Sequence, residues 1–361
     1  MTLLSPELVS KGRDRMTRPV LSAADCVPAS RAVFRRRRDV WVLAGTAVLL
    51  VIGLAGLARA TGWQEIGAQL ARLGPAEIAV LLGLSLINYL ARGVRWHVLL
   101  GGAGLRLPLP ISVLHFIAGL AMAVTPGRVG ELVRLRWTAT ATGAPLDRAA
   151  PLALADRAGD LAAMALLLAA CLGPAAGLAG GVAGGAPLAA GTATVAGALA
   201  LAGLATRPEV LMALAAAGYR LTGRGARIFA RGRRAARSAA RLWRPRVLVP
   251  VLALGLVGWL AEAVGFHLLL HWLGAEIGLW QAAGIFVFAT LAGGLTGAPG
   301  GIGGAEAAMI ALLAAAGVPL DTALPATAIA RIATLWFAVA IGVALFPLAE
   351  AHSRDGRHAL V

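Results

Sequence analysis

Lysine is almost missing from this sequence: Lys11 is the one lysine among 33 basic residues, so the positive side is nearly all arginine. Acidic residues are also scarce, 17 in 361, and charged residues of both signs make up only 14% of the chain. Soluble domains carry about 25% charged residues, so this shortage excludes an ordinary water-soluble protein. Cysteine is down to Cys26, in a polar N-terminal stretch, and Cys171, in an apolar run. That pair excludes a disulfide framework and a cysteine-based metal cluster. Neither a Walker loop, a dinucleotide fingerprint, nor a Ser/His/Asp or Cys/His set is written in the chain, which argues against a nucleotide-driven pump and against an enzyme of those classes. His267 and His271, four apart and just after Glu262, have no second cluster beside them and point to no metal; no cofactor is indicated.

What fills the chain instead is apolar: 59% of it by count. Runs long enough to cross a bilayer, about 20 residues at 1.5 Å each, occur at 40–60, 76–100, 147–172, 185–206, 247–273 and 323–348. Two more apolar segments are interrupted near their middles, 110–140 at Pro126-Gly127 and 280–317 at Pro299-Gly300-Gly301. The stretch 173–191, rich in Gly and Ala, reads as a loop running into the next span. Residues 1–38 read as a disordered basic tail, and the run after Arg35–Arg38 is too long for a cleaved signal and reads as an anchor.

The formal charge of +16 admits nucleic-acid binding or positive loops facing the cytoplasm. With this many spans the second reading is preferred, and no nucleic-acid partner is expected. Residues 207–246 hold eleven arginines and are placed in the cytoplasm, as are Arg35–Arg38 and the 351–361 tail with Arg354 and Arg357. Counting all eight apolar segments as crossings separates the N-terminal arginines from the 207–246 loop by five, an odd number, so they would face opposite sides. The conflict disappears if 110–140 and 280–317 are re-entrant, dipping into the membrane and returning. Non-helical backbone at that depth needs protein or a wet cavity around it.

The two broken segments also match each other. "PGRVGE" (126–131) pairs with "PGGIGGAE" (299–306), "RWHVLL" (95–100) with "GFHLLL" (265–270), and Arg157 with Arg331, at offsets of 170 to 175. The expected architecture is therefore an all-α polytopic membrane protein. It has about six full spans plus two re-entrant helical hairpins, in two inverted repeats at about 76–172 and 247–348 within a membrane domain spanning 39–350. Inverted repeats with broken helices are a transporter architecture.

Ionisable residues at membrane depth are costly and point to function. Here they are Arg92, Arg95, Arg128, Arg134, Arg157 and Arg331 against Glu131, Asp156, Asp160, Glu262 and Glu306. Six positive and five negative groups leave about one positive charge, which suits an anionic ligand. Arg92 and Arg95 either snorkel to the surface or join that site. Asp156 and Asp160 flank Arg157 and read equally as an ion-pair lattice or as part of the site. Glu131 and Glu306 follow the Pro-Gly breaks and can cap the helices that resume there. Gly127, Gly130, Gly300, Gly301 and Gly303, beside Pro126 and Pro299, leave backbone N–H groups at positive helix ends, a natural phosphate cradle.

"PGRVGELVR", then "ADRAGD" on the next span, then "APGGIGGAEAA" with an arginine on the last span, resemble the lysylphosphatidylglycerol synthase transmembrane-region family, over roughly 40–350. The resemblance implies a flippase-like domain standing without the soluble aminoacyl-transferase half, and hence no synthase activity. It implies Arg128, Arg157 and Arg331 as headgroup ligands with the Pro-Gly helix ends, and Glu131, Arg134, Asp156 and Glu306 beside them; the reading of buried charge adds Asp160 and Glu262 as further charge partners. The expected role is moving an anionic phospholipid or polyprenyl-phosphate-linked lipid across a bacterial inner membrane, both termini cytoplasmic. Two other readings stand beside it. One is a non-transporting partner of a lipid-modifying or glycosyl-transferring enzyme, docked through 207–246. The other is an integral transferase with Asp156 or Asp160 as base.

Overall fold

Proline opens two long apolar helices of equal length. In a computed structural model of the chain, α1 (Pro75–Gly102) and α6 (Pro245–Trp272) are each 28 residues long with Pro in the first turn. That is the place where a missing N–H costs nothing. Each also ends the same way: Gly104 and Gly274 turn left-handed, at φ 76° and 84°. The amide that follows each glycine reaches back to the helix, Leu105 N to Leu100 O and Ala275 N to Leu270 O, both at 2.9 Å. This is the six-to-one closure of a glycine-ended helix. The two ends are 170 residues apart.

The structure describes residues 71–125, 132–178, 185–207 and 244–355, with 45, 67, 68, 209, 210, 213, 216, 217 and 242 besides. All belong to the unit Leu43–Val361. The N-terminal tail, the 40–60 anchor apart from Gly45, Pro126 to Glu131, and most of the basic 207–246 segment lie outside the described residues.

After α1 the chain forms α2 (Leu109–Gly119), which tightens into a 3-10 turn at Leu120–Met122, then α3 (Val133–Thr142) and the 33-residue α4 (Leu146–Leu178). Next come α5 (Gly185–Thr206), then α6, α7 (Leu279–Leu295), a 3-10 turn at Pro299–Gly301, α8 (Gly304–Ala315) and α9 (Leu320–Arg331). A π-helical turn, Ile332–Trp336, leads into α10 (Phe337–Asp355). The described residues are helical and contain no strand. Three helical stretches, Pro75–Gly102, Pro245–Trp272 and Leu320–Ser353, are long and apolar enough to cross a membrane, and shorter apolar helices accompany them. α7 and α8, at 17 and 12 residues, rise only about 26 and 18 Å, each less than the ~30 Å hydrocarbon core.

One expectation is overturned here. The Gly/Ala stretch at 173–191 is helical at both ends, where α4 runs on to Leu178 and α5 has begun by Gly185, and residues 179–184 lie outside the described residues. Alanine is the strongest helix former, and lipid supplies no hydrogen bonds to an opened backbone, so the helix persists through composition that would loosen it in water.

α1 and α6 pack side by side and antiparallel. A methyl group on Gly102 would meet Val247, one on Gly258 would meet Asn88, and one on Gly265 would meet Leu84. Asn88 and Gly258 are themselves 170 apart, so the two helices cross at equivalent positions. The outer faces stay apolar: Ile87 and Leu90 on α1, Val257 and Leu260 on α6 are all exposed, as lipid contact requires. Around this pair the halves interlock, α4 packing on α7 and α10 packing on α2. One apolar core gathers α6, α7 and α9, another α1, α2 and the start of α4.

Candidate functional site

Asp156 and Asp160 are one turn apart on α4, and Arg92 and Arg95 are three apart on α1, so each pair shares a helix face. The two faces meet. Arg95 Nε and Nη2 donate to Asp156 Oδ1 at 3.1 and 2.6 Å, and its Nη1 lies 2.8 Å from Asp160 Oδ1. Arg92 Nη2 donates to Asp160 Oδ2 at 2.7 Å. From α3, Arg134 Nη2 donates to Asp156 Oδ2 at 2.5 Å. From α6, the Trp259 indole N–H reaches Asp160 Oδ1 at 3.3 Å. Arg95 and Asp156 are completely enclosed, and the other three charged residues are nearly so.

Aromatic rings complete the enclosure. Arg134 stacks over Trp96 and Phe116, its Cζ 4.4 and 4.9 Å from the ring centres. Arg92 lies 5.4 Å from Phe116 and from Trp259. Phe116 is thus shared by two guanidiniums, and desolvated cation–π contacts of this kind are worth about 2 kcal/mol. Gly255 makes the room: a methyl group there would lie 2.8 Å from the Ala163 methyl and 3.3 Å from Arg95 Nη1. Three arginines meet two aspartates, leaving one positive charge in the lattice. Three buried N–H donors within it, Arg92 Nε, Arg134 Nε and Trp96 Nε1, have no acceptor among the described residues.

This arrangement settles the choice for Arg92 and Arg95, which point into protein and do not snorkel. It also re-pairs the aspartates. Arg157, between them in sequence, faces elsewhere: its closest approach to Asp160 is 3.7 Å, with a third of its side chain accessible. Arg128 and Glu131, with Pro126, Gly127 and Gly130, lie outside the described residues.

The second break is built differently. Gly300, Gly301 and Gly303 all take left-handed φ values, 63°, 69° and 88°, which side-chain-bearing residues rarely adopt. Arg331, at the end of α9, holds the turn: Nη2 donates to Gly300 O at 2.8 Å and Nε to Glu306 Oε1 at 2.6 Å. The other oxygen of Glu306 accepts from the Gly303 N–H at 2.6 Å, so this glutamate caps α8 and pairs with the arginine at once. The Gly301 N–H donates to Ala298 O at 2.9 Å. Two of the N–H groups expected to cradle a phosphate are therefore used within the turn that Pro299 begins. A tight turn with left-handed glycines satisfies its own donors before any ligand arrives.

Glu262, on α6, is buried and faces a small cavity walled by Ser85, Thr334, Ala330, Ala333 and Phe286 among others. Just beyond Arg331 the π turn carries Thr334, whose carbonyl accepts from the Tyr89 hydroxyl. π turns inside helices recur at functional sites. The residues that sequence reading had not singled out, Trp96, Phe116, Tyr89, Gly255 and Trp259, are aromatics and a glycine. The aromatics' one signal was rarity, at 5% of the chain, and these gather around charge; Gly255 is one of 46 glycines and carried no signal.

A family profile described as "Lysylphosphatidylglycerol synthase TM region" matches residues 41–342. A curated relative, a "UPF0104 membrane protein" from Methanothermobacter thermautotrophicus, is 33% identical over 101 residues, covering 28% of this chain and 30% of that protein. The family match, over 41–342, extends across both broken segments, both 28-residue helices and the arginine–aspartate lattice. The chain is a membrane protein and belongs to the lysylphosphatidylglycerol synthase TM region family.

Proposed function

We propose that the chain moves the anionic headgroup of a lipid, a phospholipid or a polyprenyl-phosphate-linked species, between the leaflets of the bacterial inner membrane, without hydrolysing a nucleotide itself. The observation that carries this reading is the enclosed lattice of Arg92, Arg95 and Arg134 on Asp156 and Asp160. A lattice with one excess positive charge and three buried donors without acceptors is poised for an anion. A third of the Arg157 side chain is accessible beside it, which suits first contact with a headgroup. Arg128 is proposed as a further ligand. Arg331, held by Glu306 and the Gly300 carbonyl, acts by fixing the second break.

The inverted-repeat architecture is part of the proposal. Equal helix lengths, matching glycine ends and antiparallel packing with Asn88 on Gly258 support a two-fold axis lying in the membrane plane. Short limbs at α7 and α8, packed on each other, support a re-entrant hairpin, and by symmetry α2 and α3 form the other. Cytoplasmic termini and a 207–246 segment on the anionic leaflet complete the arrangement. A transferase using Asp156 or Asp160 as base is disfavoured, because each carboxylate is held by two of the three lattice arginines.

The test is purified protein in liposomes carrying fluorescent phosphatidylglycerol, with an impermeant quencher added outside. Transport predicts that the quenched fraction rises beyond the outer leaflet. Quenching that stops at the outer leaflet, with folded protein, would favour the non-transporting partner.

A further inference from the structure

Two hydrogen bonds cross between the halves, and each is the image of the other. Tyr89 on α1 and Trp259 on α6 are 170 apart, the offset that also relates the glycine ends of those helices and the Asn88–Gly258 crossing. Each is the fifteenth residue of its 28-residue helix. The Tyr89 hydroxyl donates to the Thr334 carbonyl in the second half. The Trp259 indole N–H donates to Asp160 Oδ1 in the first half, at 3.3 Å. Asp160 and Thr334 are 174 apart, the offset of Arg157 and Arg331. Each is the fifteenth residue of its own helical stretch, counted from Leu146 and from Leu320. Four helical stretches are therefore tied at equivalent middle positions, with one donor and one acceptor from each half. Tyr89 and Trp259 are both buried, and a bond that opens there has no water at hand to replace it.

We infer that Tyr89 and Trp259 are positioning residues of the transport cycle, crossed latches between the halves. Both are shut in this structure; one opens when the molecule faces one side of the membrane, the other when it faces the opposite side. Their alternation rests on the transport and the inverted repeat proposed above. A two-fold axis in the membrane plane exchanges the two faces of the membrane, and it turns the Tyr89–Thr334 bond into the Trp259–Asp160 bond. A state open to one face breaks that symmetry, and the state open to the other face is its image. Whichever bond the first state releases, the second state releases the other. With both bonds made the molecule is closed to both faces, in keeping with the complete enclosure of Asn88, Arg95 and Asp156. The latches also end on the parts that meet a headgroup or shape its site. Asp160, the acceptor for Trp259, holds Arg92 and Arg95. Thr334, the acceptor for Tyr89, lies in the π turn that follows Arg331, and π turns are places where long helices bend. One residue before each donor, Asn88 meets the bare backbone of Gly258, and that contact serves as the pivot.

The experiment reads which face of the membrane reaches the middle of the protein. Asn88→Cys is introduced into the full-length chain together with Cys26→Ser and Cys171→Ala. Asn88 makes no side-chain hydrogen bond with a described residue, so its replacement costs none. Labelling by a charged, membrane-impermeant thiol reagent is timed in spheroplasts and in inverted membrane vesicles, which present opposite faces. Tyr89→Phe removes one hydroxyl, and Trp259→Phe removes the indole N–H while keeping a ring beside Arg92. Each should speed labelling about two- to tenfold, the shift that one hydrogen bond can give. Tyr89→Phe should do so from one face, Trp259→Phe from the opposite face, and the double variant from both. Thermal melting identifies the variants that fold. Where Trp259→Phe does not, benzothienylalanine at 259 keeps the indole shape without the N–H; where Asn88→Cys does not, Ser85→Cys reports from one turn earlier on the same buried face. Equal acceleration from both faces by each single variant is the mark of structural loosening alone, and it overturns the inference. So does acceleration by both from the same face, or no change in folded protein. The fluorescent-lipid assay on the same preparations keeps the two readings apart. Lipid movement without opposed shifts overturns the latches and leaves the flippase reading intact, whereas opposed shifts without lipid movement leave the latches as a joint between the halves and remove the flippase reading.

Discussion

In the first half of the molecule two aspartates on one helix hold three arginines from two others, under a roof of Trp96, Phe116 and Trp259. In the second half a single arginine holds one glutamate and one backbone carbonyl at a glycine turn. α1 and α6, one from each half, have the same length and the same ends, so along that pair the difference lies in side chains set on a common backbone. What it teaches is a division of labour. The first half keeps positive charge in excess and donors without acceptors, properties that serve a ligand. The second half balances its charge locally and spends Arg331 on shape.

The largest expected effect is on the lattice. Asp156→Asn leaves Arg95 and Arg134 facing a neutral amide in full burial, and breaking a buried pair from one side costs about 3–5 kcal/mol. A marked drop in the melting temperature of the purified protein is the expected reading. Combining it with Arg134→Gln removes one charge of each sign and should recover part of the loss. An unchanged melting temperature in the single variant would mean that the lattice does not hold α1, α3 and α4 together, and the contrast with the second half would lose its basis.

A middle-sized effect is expected at the glycine turn. Glu306→Gln keeps the side chain's shape but weakens charge-assisted bonds to Arg331 and to the Gly303 N–H, for about 1.5–3 kcal/mol. The melting temperature should fall, by less than in Asp156→Asn, because the Glu306 side chain is 12% exposed and water can reach it. A fall equal to that of Asp156→Asn would put the two halves on one footing.

Much of this was legible from residue order. The helical, membrane-embedded class followed from apolar runs and scarce charge, and the 170-residue offset followed from the pairing of "RWHVLL" with "GFHLLL". Glu306 as helix cap followed from its place just after the Pro-Gly break. The partners of Asp156 did not follow. Sequence spacing brings Arg157 beside it, but on a helix adjacent residues point about 100° apart, and the face of α4 that holds both aspartates turns toward α1 and α3. Only packing could reveal that Arg95 bridges both acids, since it depends on Gly255 letting α6 approach. The fate of the Gly301 and Gly303 N–H groups was equally hidden, because it rests on which way a tight turn closes.

The smallest stability effect, with a large functional one, is expected at Arg157. Its contact with Asp160 spans 3.7 Å on one helix and a third of its side chain is accessible; pairs of that kind contribute about 0–1 kcal/mol. If Asp156 and Asp160 formed an ion-pair lattice around Arg157, Arg157→Gln would strand an aspartate. In the structure Asp156 has Arg95 and Arg134, and Asp160 has Arg92 and Arg95. Arg157→Gln should therefore melt near the parent while fluorescent-lipid movement is lost. The double variant Asp156→Asn with Arg157→Gln sharpens the point. Asp156 is held by Arg95 and Arg134, so the double variant should melt close to Asp156→Asn alone, with no rescue. Rescue would pair Arg157 with Asp156 after all and make it a member of the lattice. A stable Arg157→Gln protein with full lipid movement would instead leave the lattice as architecture and move the headgroup contact elsewhere.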